Sequence, residues 1–317
     1  MTISEIGIEK FRSIDSCWVS CKELCAFVGS NNVGKSTLLR ALNAFFNYAE
    51  EEPFFESGTH KHTAKSIPKI DVVFSNVPNK RIYNEIKSSE NKIHLRLTFD
   101  SSKLLKEKYQ VKKDGKYSEL SSEIQNELKK DIQFVYIPAS RDYTQTVFNE
   151  ESILKELLDV YLKKHTEKRN RIKPKVEDTI SFFNNNALKK ASKDLLEFYP
   201  LKSSFSLQID YDSNDLDYHI LLRDLCIKIK DNGNEFKLID TGSGIQSLMN
   251  IAIYRYIAKL KHKKYILGIE EPELNLHPQS QKELISGLRK SSEDENLQIF
   301  FTTHSAVVID QLSHTEI

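Results

Sequence analysis

The chain is short of several things, and each shortage excludes something. Four cysteines in 317 residues are too few for a disulfide framework and point to a reducing, cytoplasmic setting. No apolar run approaches the roughly 18–20 residues that a membrane span needs. MTISEIGIEKFRS, at the N-terminus, carries charges where a signal peptide has its apolar core. Neither a membrane partner nor export is expected. Net charge is lacking too: 46 Lys and Arg against 45 Asp and Glu leave +1. No global field therefore draws in nucleic acid, and any such contact must come from a local cluster. There is no internal repeat and no long low-complexity tract. What remains is 39% hydrophobic and long enough for one large domain or two modest ones.

Cys17, Cys21 and Cys25 recur every fourth residue in CWVSCKELC. A metal triad would want a close CxxC pair and a fourth ligand, and both are missing. In extended structure this spacing puts all three on one face, where cysteine acts as a small buried hydrophobe. HKH at His60 to His62 reads as a solvated loop, with metal binding as the lesser alternative.

Along the chain, residues 3–11 alternate apolar and polar as a strand does. LCAFV (24–28) is a short apolar strand running into GSNNVGKS, and STLLRALNAFFN (36–47) continues as a helix with Leu38, Leu39, Leu42, Phe45 and Phe46 on one face. IPKIDVVF and IHLRLTF are two further strands. A weakly apolar, Lys/Ser-rich stretch follows over about 101–131, then IQFVYIPA is a buried strand. SILKELLDVYLKK and NALKKASKDLLEFY have helical spacing, with the densest basic cluster, KKHTEKRNRIKPK (163–175), between them. After about 204, IKIKDNGNEFKLID is a hairpin turning at Asp231 to Asn234. A glycine turn, a helix, the strand KYILGI, a helix near 278–290 and the strand LQIFFTT complete the chain. Alternating strands and helices predict an α/β fold, with 1–140 and 204–317 forming one domain and 141–203 a helical insertion in it.

GSNNVGKST fits G-x-x-x-x-G-K-[ST] and sits between an apolar strand and an amphipathic helix, the setting a phosphate loop requires. Gly29 and Gly34 let the backbone turn its N–H groups, with those of Asn31 and Asn32, toward a β-phosphate at a helix N-terminus. Lys35 neutralises the β/γ oxygens, the Ser36 hydroxyl ligates Mg²⁺, and Thr37 completes the motif. The motif predicts binding of a nucleoside triphosphate. In YILGIEEPELNLHP an apolar strand delivers Glu270 and Glu271 to its C-terminal end, the first to hold Mg²⁺ through water and the second to orient and polarise the attacking water; the apolar strand and the matching phosphate loop weigh against a merely solvated pair. His304 ends the strand IFFTTHS, either as a structural residue or as a sensor of the γ-phosphate. The turn Gly242, Ser243, Gly244 before a helix is a second anion cradle, but it has no lysine. Such a turn suits the exposed γ-phosphate of a nucleotide held by another copy, which implies a head-to-tail dimer with ATP between the subunits.

These elements in this order resemble the ABC-type P-loop ATPase heads of the RecF/SMC class, a mixed-sheet α/β fold with an inserted helical segment. IEKFRSI, GSGIQ, IEEPELNLHP and TTHS are most similar to the ATPase domain of OLD-family (overcoming lysogenization defect) proteins. The resemblance covers the start through about residue 48 and again about 229–310. It implies ATP and Mg²⁺ as cofactors, Ser243 and Gly244 as trans contacts to the γ-phosphate, Glu270 as metal ligand, Glu271 as catalytic base and His304 as switch histidine. Asn31 matches a loop asparagine that helps place γ-phosphate and water, and Arg12 of FRSI matches a phosphate contact. No Q-loop glutamine stands out, and Arg141 of IPASR matches a family motif without an assigned role. OLD-family proteins carry a Toprim nuclease domain, and no Toprim motif lies in these residues. Nuclease chemistry is therefore expected from a domain or partner outside them.

Two readings follow. In one, the chain is an ATP-hydrolysing domain whose homodimer regulates DNA cleavage, in anti-phage defence. In the other, it is a RecF/SMC-like clamp on DNA with no nuclease. The 163–175 cluster, with Lys168, Arg169 and Arg171, is either a DNA-phosphate contact or a solvated connection. The motor of a membrane transporter fits less well, because of the long insertion, the altered signature turn and the Glu-Glu strand end.

Overall fold

A computed structural model describes residues 1–30, 33–101, 106–139, 157, 182–197, 205–211, 225–231, 233–261, 263–293 and 297–317. The chain divides into two units. The first comprises Met1–Ala139, Lys263–Glu271 and Ser292–Ile317, the second Ser140–His262 and Pro272–Ser291.

In the first unit the alternating N-terminal segment becomes β1 (Thr2–Phe11), burying Ile6, Ile8 and Phe11. It pairs antiparallel with β2 (Ile14–Ser20) and β4 (Lys69–Ser75). β5 (Ile93–Phe99), β6 (Glu107–Lys113) and β7 (Lys116–Glu119) extend this sheet in the order β2-β1-β4-β5-β6-β7. A short helix, α3 (Arg81–Asn84), lies between β4 and β5, and the stretch 101–131 holds two strands and α4 (Ser122–Asp131) where the composition shows only polarity. The reason is position: β6 buries just Val111, and outer strands of a one-faced sheet are kept charged. Asp114-Gly115, both at positive φ (51° and 79°), supplies the hairpin turn.

The second sheet of this unit is parallel. It contains β3 (Leu24–Val28), β8 (Ile132–Ile137), β12 (Lys264–Glu270) and β13 (Leu297–Thr303), in the order β3-β13-β12-β8. Every residue of β13 is buried, as expected of a parallel strand covered on both faces. Gln298, fully buried on β13, ties the two sheets together. Its amide N–H donates to the carbonyls of Ile3 (2.8 Å) and Lys22 (3.0 Å), and its oxygen accepts from the Ile3 N–H at 2.9 Å. The amphipathic helix α1 (Lys35–Phe46) buries Leu39, Leu42 and Phe45. Close approach is possible because β12 has glycine at 268: a Cβ there would lie 2.6 Å from Cζ of Phe134 and 3.5 Å from Leu39. Gly268→Ala should therefore cost about 1–3 kcal/mol through overpacking. A urea midpoint equal to the parent's would show that the Phe134 ring can step aside.

Two local expectations are corrected. The cysteines do not share one strand face: Cys17 is on β2, Cys21 follows it, and Cys25 is on β3. Cys21 and Cys25 are nonetheless buried in the core, and among the described residues no group of three or more His, Cys, Asp or Glu could hold a metal. His60 is not solvated but fully buried, among the rings of Phe11, Phe54 and Phe55. Its Nε2 lies 2.6 Å from Oε2 of Glu51 on α2 (Tyr48–Glu56). Burial lowers the His60 pKa and favours its neutral form. Glu51 also accepts from Asn43 (2.8 Å) and Arg40 (3.3 Å). The buried partner, nine residues upstream, is what a polar tripeptide does not reveal.

In the second unit, β9 (Phe205–Tyr211), β10 (Leu225–Asp231) and β11 (Asn234–Lys237) form an antiparallel sheet, with Asp231 opposite Asn234 at the expected hairpin. A π-turn at Asn184–Leu188 leads into α5 (Lys189–Glu197). Buried Ser192 on α5 donates to the Leu188 carbonyl (2.6 Å) and accepts from the Ile209 N–H (2.9 Å), docking the helix on β9. Helix α6 (Ser243–Lys261) and, but for its last residue, α7 (Pro278–Ser292) belong to this unit, and α8 (Ala306–Ile309) to the first. No described helix is long and apolar enough to cross a membrane.

Candidate functional site

Because β3, β13, β12 and β8 are parallel, their C-terminal ends share one edge, the edge where open α/β sheets bind ligands. At β3 the chain enters the glycine loop. Gly34 (φ 103°) is the N-cap of α1 in a left-handed conformation that glycine adopts without penalty, and Gly29 has φ 152°. Lys35 is buried, and its ammonium donates to the carbonyls of Gly29 (2.8 Å) and Ser30 (2.7 Å) along the inside of the loop. Ser36 is exposed in the first turn of α1, while Thr37 is buried with Oγ1 3.4 Å from Oγ of Ser13. The FRSI segment is thus brought to the loop: Ser13 touches Thr37, and a Cβ on Gly34 would meet Ser13 and Ile14 at 3.4 Å. Arg12, at φ 51°, is fixed there by its backbone, its N–H donating to the His60 carbonyl at 3.2 Å. Asn31 and Asn32 lie outside the described residues.

At the centre of the same edge, β12 ends in the two carboxylates, and the structure sends them to opposite neighbours. Glu270 is turned toward the end of β8: Oε1 accepts from the Tyr136 hydroxyl at 2.8 Å, and Oε2 from the Ala139 N–H at 3.1 Å. Burial, then the Glu270 charge, hold the Tyr136 phenol well above its usual pKa, so it stays a donor. Glu271 is turned toward the end of β13. It stands at φ 42°, a left-handed conformation uncommon for a residue with a side chain. Its N–H donates to the carbonyl (3.1 Å) and hydroxyl (3.2 Å) of Thr302. Its Oε1 lies 3.2 Å from Nδ1 of His304, whose side chain is half-exposed. Ser305 then caps α8, accepting from the Val308 N–H. The residues absent from the sequence reading are Tyr136, Ala139 and Thr302. Tyr136 and Thr302 show themselves in the sequence only as hydroxyls near the ends of largely apolar strands, and Ala139, which acts through its main-chain N–H, gives no side-chain signal.

The lysine-free turn lies in the second unit. Gly242 accepts from the N–H groups of Ile245 (3.0 Å) and Gln246 (3.3 Å), so Ser243 and Gly244 are the first two residues of α6, where main-chain N–H groups have no intrahelical acceptor. Gln246 of GSGIQ is buried, and its amide N–H donates to Ile239 (2.9 Å) and Thr241 (2.8 Å), which fixes the approach to the turn. Arg141 and the basic cluster 163–175, with Lys168, Arg169 and Arg171, lie outside the described residues.

A glycine loop after the first parallel strand, a lysine within it and carboxylates two strands away define a P-loop ATPase fold. The chain belongs to the AAA ATPase domain family, whose model matches residues 1–189 and 82–309. Its fold is that of SMC heads. An SMC head bound to the C-terminal winged-helix domain of ScpA superposes with a TM-score of 0.64 at 15% identity, covering 98% of this chain and 91% of the other. The head from Pyrococcus furiosus gives 0.63 at 16%, over 98% and 91%, and that from Thermotoga maritima 0.52 at 13%, over 99% and 93%. An OLD nuclease of Thermus scotoductus is 35% identical over 71 residues, which is 22% of this chain and 13% of that protein. The matched stretch is thus a small part of that relative's length.

Proposed function

We propose that this chain binds ATP with Mg²⁺ on the C-terminal edge of its parallel sheet, hydrolyses it, and couples the cycle to DNA cleavage by an OLD-type nuclease in the cytoplasm, as part of anti-phage defence. The observation that carries the reading is the arrangement of that edge. The glycine loop, Glu270 and the Glu271–His304 pair stand on strand ends of one parallel sheet within one unit.

The donors suit the metal: a serine hydroxyl and a carboxylate are hard oxygen ligands of the kind Mg²⁺ takes beside substrate phosphates. Ser36 and Glu270 would hold it, and when bound it would neutralise charge on the β- and γ-oxygens. The N–H groups from Gly29 through Asn31, Asn32 and Gly34 cradle the phosphates, with Thr37 fixing the helix start. Lys35 exchanges its two carbonyl acceptors for charged phosphate oxygens, which accept more strongly. Arg12 adds a second cation. Glu271 takes the proton of the attacking water, and His304, beside it, reads the γ-phosphate.

Ser243 and Gly244 complete the site of a second copy, making ATP the link of a homodimer. In this scheme residues 1–140 and 204–317 are the ATPase domain and 141–203 an insertion used for dimerisation or DNA contact. The nuclease lies in a further domain or a partner. An SMC-like DNA clamp without a nuclease is the second reading, favoured by the SMC-head fold over 98% of the chain. Cleavage of plasmid DNA by the natural full-length protein or complex separates the two.

The composite site has its own test. Ser243→Arg is expected to bind ATP like the parent and to turn it over about 10²-fold more slowly, with Lys35→Ala inactive through lost binding. Mixing the two variants should restore part of the activity, because one of the two shared sites then combines an intact loop with an intact turn. A mixture as inactive as its parts, or undiminished turnover by Ser243→Arg, removes the trans role.

A further inference from the structure

We infer that Tyr136 is the positioning residue for the metal-holding carboxylate of Glu270, an inference that rests on the ATPase reading above. A glutamate hangs its carboxylate on one more rotatable bond than an aspartate, so at the end of β12 it needs an external constraint to present one face. The end of β8 supplies it. The Tyr136 hydroxyl donates to Oε1 at 2.8 Å and the Ala139 N–H to Oε2 at 3.1 Å. One donor on each oxygen fixes the plane of the group as well as its position. An ionised carboxylate offers about four acceptor positions, and these donors take two of them from one side.

The sequence and register explain why these donors serve. β8 and β12 pair in parallel, with Tyr136 opposite Gly268 and Ile137 opposite Ile269. The residue after the strand is Pro138, which has no N–H. The first main-chain donor beyond β8 is therefore that of Ala139, and the side chain that reaches forward to Glu270 is the one two residues before Pro138. Tyr136 is itself held. The Arg40 guanidinium lies 5.5 Å from its ring centre, within reach of a cation–π contact, and Arg40 is anchored by both oxygens of buried Glu51 at 3.3 Å. Arg40 follows Ser36 by four residues on α1 and so stands on the same helix face. One helix thus carries one metal donor directly and backs the residue that orients the other.

Tyr136→Phe removes one hydroxyl and keeps the ring. With the chain and ATP, Mn²⁺ binding followed by electron paramagnetic resonance should weaken about 10-fold, and the Mg²⁺ concentration for half-maximal turnover should rise by a similar factor. The melting temperature and metal-free nucleotide binding should match the parent, which separates positioning from general damage. Mn²⁺ affinity and Mg²⁺ dependence equal to the parent's would overturn the inference. Glu270→Gln is run beside it. If that variant loses Mn²⁺ while Tyr136→Phe does not, the positioning role alone falls; if it keeps Mn²⁺, the assignment of Glu270 to the metal falls and Tyr136 with it. The double variant should bind Mn²⁺ no more weakly than Glu270→Gln alone. A further loss in it would mean that Tyr136 acts through another group, and would also overturn the inference.

Discussion

Glu271→Gln should bind ATP as the parent does and hydrolyse it about 10²–10⁴-fold more slowly, the range lost with a positioned general base. The argument is geometric. Glutamine is isosteric with glutamate, and it can keep the φ of 42° and the N–H donation to Thr302 that fix this residue in the parent. What it cannot do is accept a proton from water. The contact with His304, 3.2 Å in the parent, can persist, because an amide still offers an oxygen. Binding and turnover should therefore separate: unchanged affinity, collapsed kcat, and an ATP-bound dimer that accumulates on gel filtration. Monomer at saturating ATP would leave the base assignment standing and remove the dimer. Hydrolysis at the parent's rate would remove the base assignment itself and turn attention to another group on the same edge.

How far the site is legible in the sequence depends on whether its parts are neighbours in the chain. Gly29 to Thr37 form one contiguous motif, and Glu270 and Glu271 end an apolar strand, so their types and places can be read together. Tyr136 cannot be read that way. Its partner is 134 residues later, and only the pairing of β8 with β12 brings them together. Which neighbour each of Glu270 and Glu271 meets also belongs to the fold, because it is set by the strand order β13-β12-β8. The same distinction holds for the scaffold. β3, β12, β13 and α1 bury continuous or periodic apolar faces and are legible. β6 and β7 carry few buried side chains and read as a weakly apolar, Lys/Ser-rich stretch, although Asp114-Gly115 is an available hairpin signal. His60 reads as solvated because its burial depends on Glu51 and three phenylalanine rings rather than on its neighbours.

Arg96→Ala should be among the most destabilising changes in the scaffold, costing about 3–5 kcal/mol, the range for removing one partner of a buried ion pair. One row of register partners crosses the antiparallel sheet: Trp18, Gly7, Asp71 and Arg96. At its centre Asp71 is fully buried. Arg96 binds it through Nε (3.0 Å to Oδ1) and Nη2 (2.9 Å to Oδ2), and His94 Nε2 lies 2.6 Å from Oδ1. Trp18 lies against Gly7, where a Cβ would be 2.6 Å from the indole, and edge-on to His94. Burial by itself pushes the Asp71 carboxyl up; the hydrogen bonds from His94 and Arg96 and the Arg96 charge more than reverse this, so the group sits below its ordinary value. A depressed carboxylate contributes stability that is complete above its unfolded pKa and lost as the pH falls through the folded one. Without Arg96 the burial is less opposed, Asp71 titrates at higher pH, and the deficit relative to the parent should be largest at neutral pH and narrow in acid. Trp18 is the only tryptophan and adjoins the cluster, so urea unfolding followed by its fluorescence reads the effect directly. A deficit that stays constant from neutral to acid pH would show that lost packing of the arginine stem, rather than an uncompensated charge, is what the sheet has given up.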